Sequence, residues 1–110
     1  MCGIAGIYSF KSIELEPRIK RAVASLESRG PDSNGFFVRD NVALGHTRLS
    51  IIDTSDAGSQ PFVDASGNYV LVFNGEFYNH NDFREELLAD GVSFTSKSDT
   101  EVLLYLLIKY

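Results

Sequence analysis

The sequence predicts an α+β fold in which helices cover a largely antiparallel sheet. Three features carry that expectation. Short apolar segments bounded by turn residues alternate with stretches whose apolar residues recur every three or four positions. Two of the short segments, Phe36 to Val38 and Val42 to Leu44, flank an Asp-Asn pair, as a hairpin would. The order along the chain is strand, helix, hairpin, strand and then two helices, which suits helices packed over an antiparallel sheet.

Ile4 to Tyr8 reads as a strand starting almost at the first residue, although termini are usually loose. Residues 11 to 16 are a polar connection. Pro17 suits a first helical turn, and Ile19, Ala22, Val23 and Leu26 then share one face. Gly30 and Pro31 stop that helix. After the hairpin, His46 to Ile52 continues as a strand end or rim. Residues 53 to 68 read as a long loop, and Tyr69 to Phe73 as the clearest strand, closed by Asn74-Gly75. Asp82 with Glu85 forms a capping pair for a helix whose apolar side is Phe83, Leu87 and Leu88, and Gly91 ends it. Ser98 with Glu101 forms a second capping pair, opening a helix from about Asp99 that carries Val102, Leu103, Leu106 and Leu107 inward. This helix is apolar over more than one stripe and is expected between layers. It runs into Tyr110 without a polar tail, so residues 1–110 are expected to be part of a domain that continues further.

The net charge of -5 disfavours a phosphate-binding surface, and no basic cluster of nucleic-acid type is present. No apolar run reaches the length of a membrane span, and the start MCGIAGIYSF lacks the pattern of a secretory signal. A single cysteine excludes an internal disulfide and agrees with a cytoplasmic location. With two histidines, His46 and His80, and no second cysteine, no metal site is expected.

That cysteine, Cys2, reads in one way as a small buried hydrophobe. Its position offers another reading. Removal of Met1 would give Cys2 a thiol and a free α-amine, and an α-amine is basic enough to take a thiol proton near neutral pH. One residue then supplies nucleophile and base. Gly3 is expected to leave room for a substrate near the backbone.

The beginning Cys-Gly-Ile-Ala-Gly resembles the mature start of class II glutamine amidotransferases. Arg29-Gly30-Pro31-Asp32, His46-Thr47-Arg48-Leu49, Ser59-Gln60-Pro61, Asn74-Gly75-Glu76-Phe77-Tyr78-Asn79 and Ser98-Asp99-Thr100-Glu101 resemble that family's further motifs, in its order. Phe77 stands where isoleucine is common. The pattern is most similar to the N-terminal glutaminase domain of glutamine-hydrolysing asparagine synthetases and covers about the first half of such a domain.

The resemblance implies an N-terminal nucleophile fold, an αββα sandwich of which these residues form the N-terminal portion. It implies Cys2 as nucleophile, with the Asn74 side chain and Gly75 N–H at the oxyanion. Arg48 would hold the α-carboxylate of glutamine and Asp99 its α-ammonium, with Glu76 near the same end. Asp32 and His46 are given structural roles. No cofactor is expected in this chain; ATP and magnesium belong to a synthetase domain beyond it, which would be the partner receiving ammonia. Homo-oligomers are compatible with the pattern.

Plainer readings stand beside these. Arg48 also suits a surface ion pair, Asp99 the first turn of any helix, and Asn74-Gly75 a hairpin turn. Three other functions remain open: an inactive fragment, a regulatory module that binds an amino acid, and a related hydrolase acting on another amide. Arg48 and Asp99 together argue against the last, since they account for both free ends of glutamine.

Overall fold

Asp40-Asn41 turns the chain tightly enough to pair the segments on either side. The computed structural model describes residues 2–11, 13–49 and 58–110. Asp40 sits at φ 51°, a left-handed conformation that aspartate tolerates. The hairpin is longer than the apolar runs alone suggest, because β2 (Ser33–Arg39) and β3 (Val42–Arg48) pair along their full length. Strand β1 (Gly3–Tyr8) lies antiparallel on the other side of β3, giving the order β1-β3-β2. Helix α1 (Leu15–Ser25) follows the expected period and buries Leu15, Ile19 and Val23 against Ala43 of β3, with Ala5 and Ile7 of β1 at the margin. Burying such side chains stabilises by roughly 1.5–3 kcal/mol each. A 3-10 turn, Glu27–Arg29, carries the chain from α1 back to the sheet.

A second pair of strands is much shorter. β4 (Phe62–Val63) lies inside the stretch expected to be loop and pairs with β5 (Val70–Leu71). The strand expected over Tyr69 to Phe73 is thus only partly formed. Its end leaves the ladder because the Phe73 N–H donates to the side-chain oxygen of Gln60, at 2.6 Å. Residues 50–52 of the expected rim and 53–57 of the expected loop lie outside the described residues.

The two remaining helices differ from expectation in their details. α2 (His80–Ala89) starts before Asp82, with Asn79 at its N-cap and no side-chain cap, so Asp82 and Glu85 lie inside the helix. Leu87 is buried, but Leu88 is half exposed. Gly91, at φ 93°, ends this helix as expected. α3 (Asp99–Lys109) has Ser98 as its N-cap, its hydroxyl accepting the Thr100 N–H at 3.1 Å. Glu101 does not complete a capping box. Its carboxylate accepts the N–H and hydroxyl groups of Thr95 and Ser96 instead. The inward face therefore runs through Glu101, Val102 and Leu104, and Leu107 is turned out with 60% of its surface exposed. α3 packs along α2 and touches β5, so it does lie between neighbours. The result is a mixed α/β chain with a three-stranded antiparallel sheet covered by α1.

Gly30 tests how tightly this frame is drawn. A Cβ placed there would meet the Thr47 carbonyl carbon, with the Arg48 nitrogen at 2.5 Å and the Thr47 oxygen at 2.6 Å, all of them backbone. Backbone cannot yield as the end of a flexible side chain can. Gly30→Ala should therefore destabilise by about 1–3 kcal/mol or more, measured by urea unfolding. Stability equal to wild type would show that the 3-10 turn does not press on β3.

Candidate active site

The register of β1 on β3 pairs Gly3 with Thr47, so Cys2 and Arg48 come next to each other at the ends of those strands. The Leu49 N–H donates to the Cys2 sulfur at 3.3 Å, and the Cys2 sulfur lies 3.7 Å from the Leu49 carbonyl. Arg29 donates through Nε to the Cys2 carbonyl at 3.3 Å. Cys2 is thus held by backbone and side chain from two segments and is only half buried. The expectation for Gly3 does not hold. The space beside its α-carbon faces Thr47 and Leu26, with a built Cβ only 2.8 Å from Thr47 Oγ1. Its role is close packing between β1, β3 and the end of α1.

Cys2 lines a cleft with Arg48, Gly75, Glu76 and Asp99. Sequence reasoning singled out these five from far-separated positions, and the fold brings them to one place. The cleft's volume, about 60 Å³, exceeds the roughly 10–15 Å³ a single water needs. Asn74 is exposed and is not among the lining residues, although Gly75 beside it is. Neither Asn74 nor Gly75 has a positive φ, and no strand follows them. A type I′ hairpin needs φ above zero at both central residues, so the hairpin reading fails here. The pair instead follows β5 in an irregular segment whose Gly75 lines the cleft.

Arg48 is nearly buried, and its backbone carbonyl accepts the Asp32 N–H at 3.0 Å. Asp32 thus contributes to the frame through its main chain. Asp99 is also nearly buried, at the start of α3, where its charge is favoured by the helix N-terminus. Its carboxylate accepts the Phe77 N–H at 2.8 Å, tying the 74–77 segment to α3. Glu76 accepts a hydrogen bond from the exposed Tyr78 hydroxyl, which holds the phenol pKa above its usual value.

Three further residues contribute in ways that the sequence alone does not show. Leu49 acts through its backbone, which no side-chain signal reveals. The spacing of Glu101 suggests a cap, and only the fold shows it fully buried and bonded to Thr95 and Ser96. Gln60 lies in the Ser59-Gln60-Pro61 motif, which was its signal. It lines the cleft and bonds both Phe73 and Thr100. His46, fully buried, takes the structural part expected of it. Its Nε2 lies 3.2 Å from the Phe73 carbonyl, and among the described residues Nδ1 has no hydrogen-bond partner. Among the described residues no group of three His, Cys, Asp or Glu is placed to hold a metal ion.

All of residues 1–110 match the family described as a glutamine amidotransferase domain, and the chain belongs to that family. It is 43% identical over 108 residues to glutamine-hydrolysing asparagine synthetase 1 of Bacillus subtilis, covering 94% of this chain and 17% of that protein. It is 42% identical over 108 residues to glutamine-hydrolysing asparagine synthetase B of Escherichia coli, covering 96% of this chain and 19% of that protein. It is also 38% identical over 114 residues to a third asparagine synthetase of Bacillus subtilis, covering 100% of this chain and 18% of that protein. The chain therefore spans less than a fifth of the length of these curated relatives.

His46 gives this site a pH dependence with a definite sign. Burial is the main reason its pKa falls below the usual histidine value; the Phe73 carbonyl opposes the fall and the Arg48 charge adds to it. The unfolded chain then binds a proton that the folded chain refuses, in the window below the ordinary histidine pKa of about 6.5. Stability from this group is complete above that value and declines as pH drops through the window. His46→Gln should show a smaller loss of melting temperature than wild type between pH 7.5 and 5.5. Equal losses in the two proteins would assign the acid sensitivity elsewhere.

Proposed function

We propose that this domain hydrolyses the side-chain amide of glutamine through a thioester on Cys2. The observation that carries the reading is the shared cleft: a cysteine just before β1, an arginine of β3 and a buried aspartate of α3 all line it. An arginine fork matches a carboxylate and an aspartate matches an ammonium, so Arg48 and Asp99 would read the two free ends of one amino acid. Glu76 would stand near the same end.

The chemistry requires that the Met1–Cys2 peptide bond has first been hydrolysed by water, which releases methionine and frees the α-amine. The amine takes the thiol proton, and the sulfur attacks the amide carbon. Negative charge develops on the amide oxygen, where the Asn74 side chain and the Gly75 N–H would donate. The C–N bond breaks as the leaving nitrogen takes the proton from the α-ammonium, and ammonia departs. A water molecule then gives a proton to the amine and attacks the thioester. The C–S bond breaks, the sulfur takes the proton back from the α-ammonium, and glutamate and the free thiol remain. The N–H of Leu49 at the sulfur suits a step in which sulfur carries charge.

The ammonia would serve an amide-forming reaction on an ATP-activated carboxylate, in a synthetase domain of a longer cytoplasmic protein similar to the asparagine synthetases. The three-stranded sheet under α1 would then be one sheet of an αββα sandwich of the N-terminal nucleophile type. A domain that only bound an amino acid would need Arg48 and Asp99 but no cysteine at the cleft.

Two experiments on the protein at its full length separate these readings. Cys2→Ala should abolish glutamate release from glutamine, and intact mass should show that the active protein has lost Met1. A fully active protein that retains Met1 would sink the α-amine mechanism. In steady-state kinetics, Arg48→Ala and Asp99→Ala should each weaken glutamine binding, by about 1.5–3 kcal/mol for a lost charge-assisted contact. Asn74→Ala should instead lower kcat about a hundredfold or more. Unchanged KM and kcat in the first two variants would return Arg48 and Asp99 to structural roles.

A further inference from the structure

We infer that Gln60 is a positioning residue for the amide cleavage, holding the Phe73 peptide so that Asn74 and Gly75 keep a fixed place relative to Asp99. The inference rests on the glutaminase reading and names a residue that reading does not use.

A carboxamide has one oxygen acceptor and two N–H donors. In Gln60 both ends face protein. The oxygen accepts the Phe73 N–H at 2.6 Å, and Nε2 donates to Thr100 Oγ1 at 3.1 Å. Phe73 immediately precedes Asn74-Gly75, and Thr100 immediately follows Asp99. One side chain thus spans the gap between the segment beside the proposed oxyanion and the helix turn beside the proposed ammonium site.

Gln60 is itself anchored. Its backbone carbonyl presses on β2 at Gly35, where a built Cβ would lie 2.5 Å from the oxygen. Gly35 is the register partner of His46 on β3. His46 meets the other side of the same residue, with Nε2 3.2 Å from the Phe73 carbonyl. Phe73 is therefore gripped at its N–H by Gln60 and at its C=O by His46, both backed by the β2–β3 pair. This is the arrangement by which a rigid element fixes a donor on an irregular segment. Displacing reacting groups by about an ångström can cost roughly a hundredfold in rate.

The test is a double-mutant cycle in the full-length protein, with glutamate release measured per reactive Cys2, counted by labelling with a thiol-reactive glutamine analogue. Gln60→Ala should lower kcat between about tenfold and a hundredfold, with a smaller change in KM. Gln60→Glu, which keeps an oxygen for the Phe73 N–H, should recover most of the loss. If Gln60 acts through this segment, Gln60→Ala should cost clearly less in an Asn74→Ala background than in wild type, because one of the two donors it positions is already gone. Losses that multiply in the double variant would overturn the inference, as would a Gln60→Ala enzyme with wild-type kcat. Should Gln60→Ala fail to fold, the same cycle with Gln60→Met, which fills the space without an amide, decides the matter. A wild-type protein that releases no glutamate would refute the glutaminase reading and this inference with it. An active wild type with a multiplicative cycle refutes the inference alone.

Discussion

The antiparallel register between β1 and β3 is the constraint on which the cleft depends. Pairing Gly3 with Thr47 carries Cys2 to Arg48 and puts the Leu49 N–H at the sulfur. A slip of one residue would send every side chain of β1 to the opposite face. The register is held by shape on both sides of Thr47. Gly3 lets Thr47 Oγ1 and Leu26 close in from one strand, and Gly30 lets the 3-10 turn rest on the β3 backbone. The Thr47 hydroxyl then donates to the Leu26 carbonyl at 3.2 Å, fixing the end of α1 to the same point. Cys2, the proposed nucleophile, is thus placed by packing beneath it.

The opposite wall of the cleft is built in another way. The first turn of α3 buries Ser98, Asp99, Thr100 and Glu101, residues that would ordinarily stay in water. Burying polar groups without partners is costly, and here partners are supplied. Ser98 caps Thr100, Asp99 takes the Phe77 N–H, Thr100 takes Gln60, and Glu101 gathers the N–H and hydroxyl groups of Thr95 and Ser96. Arg84 adds donors to the carbonyls of Ser96 and Ser98, at 3.1 and 3.2 Å. Each bond is modest in net worth, but removing one partner leaves a buried group unsatisfied. Such a network specifies one arrangement and holds the Asp99 carboxylate at a fixed point.

Much of this was legible in the residues. The period of Ile19 and Val23 gives α1 and its buried face, Asp40-Asn41 gives the hairpin, and Ser98 gives the start of α3. The cleft residues were legible as motifs, because their chemistry is carried by side chains: a thiol, a guanidinium and a carboxylate. What escaped was carried by backbone or decided by distant partners. Leu49 contributes an N–H, Glu101 abandons the cap that its spacing suggested, and Asp82 yields the N-cap to Asn79. Leu107 turns outward because the helix rotates to place Glu101 beneath Thr95 and Ser96.

Asn74-Gly75 shows most clearly where local reading stops. Taken with the apolar run before it, the dipeptide is a strong turn signal, and a hairpin would need a following strand to pair with it. The next element is α2, so that partner does not arrive. Two other interactions take its place. Gln60 captures the Phe73 N–H before the turn, and Asp99 captures the Phe77 N–H after it. Between those two fixed N–H groups lie Asn74, Gly75 and Glu76. Held at both ends, the segment does not need the left-handed geometry of a primed turn, and neither Asn74 nor Gly75 adopts it. Both captors line the cleft themselves. The contacts that override the local turn preference are therefore the ones that bring Gly75 and Glu76 to its lining.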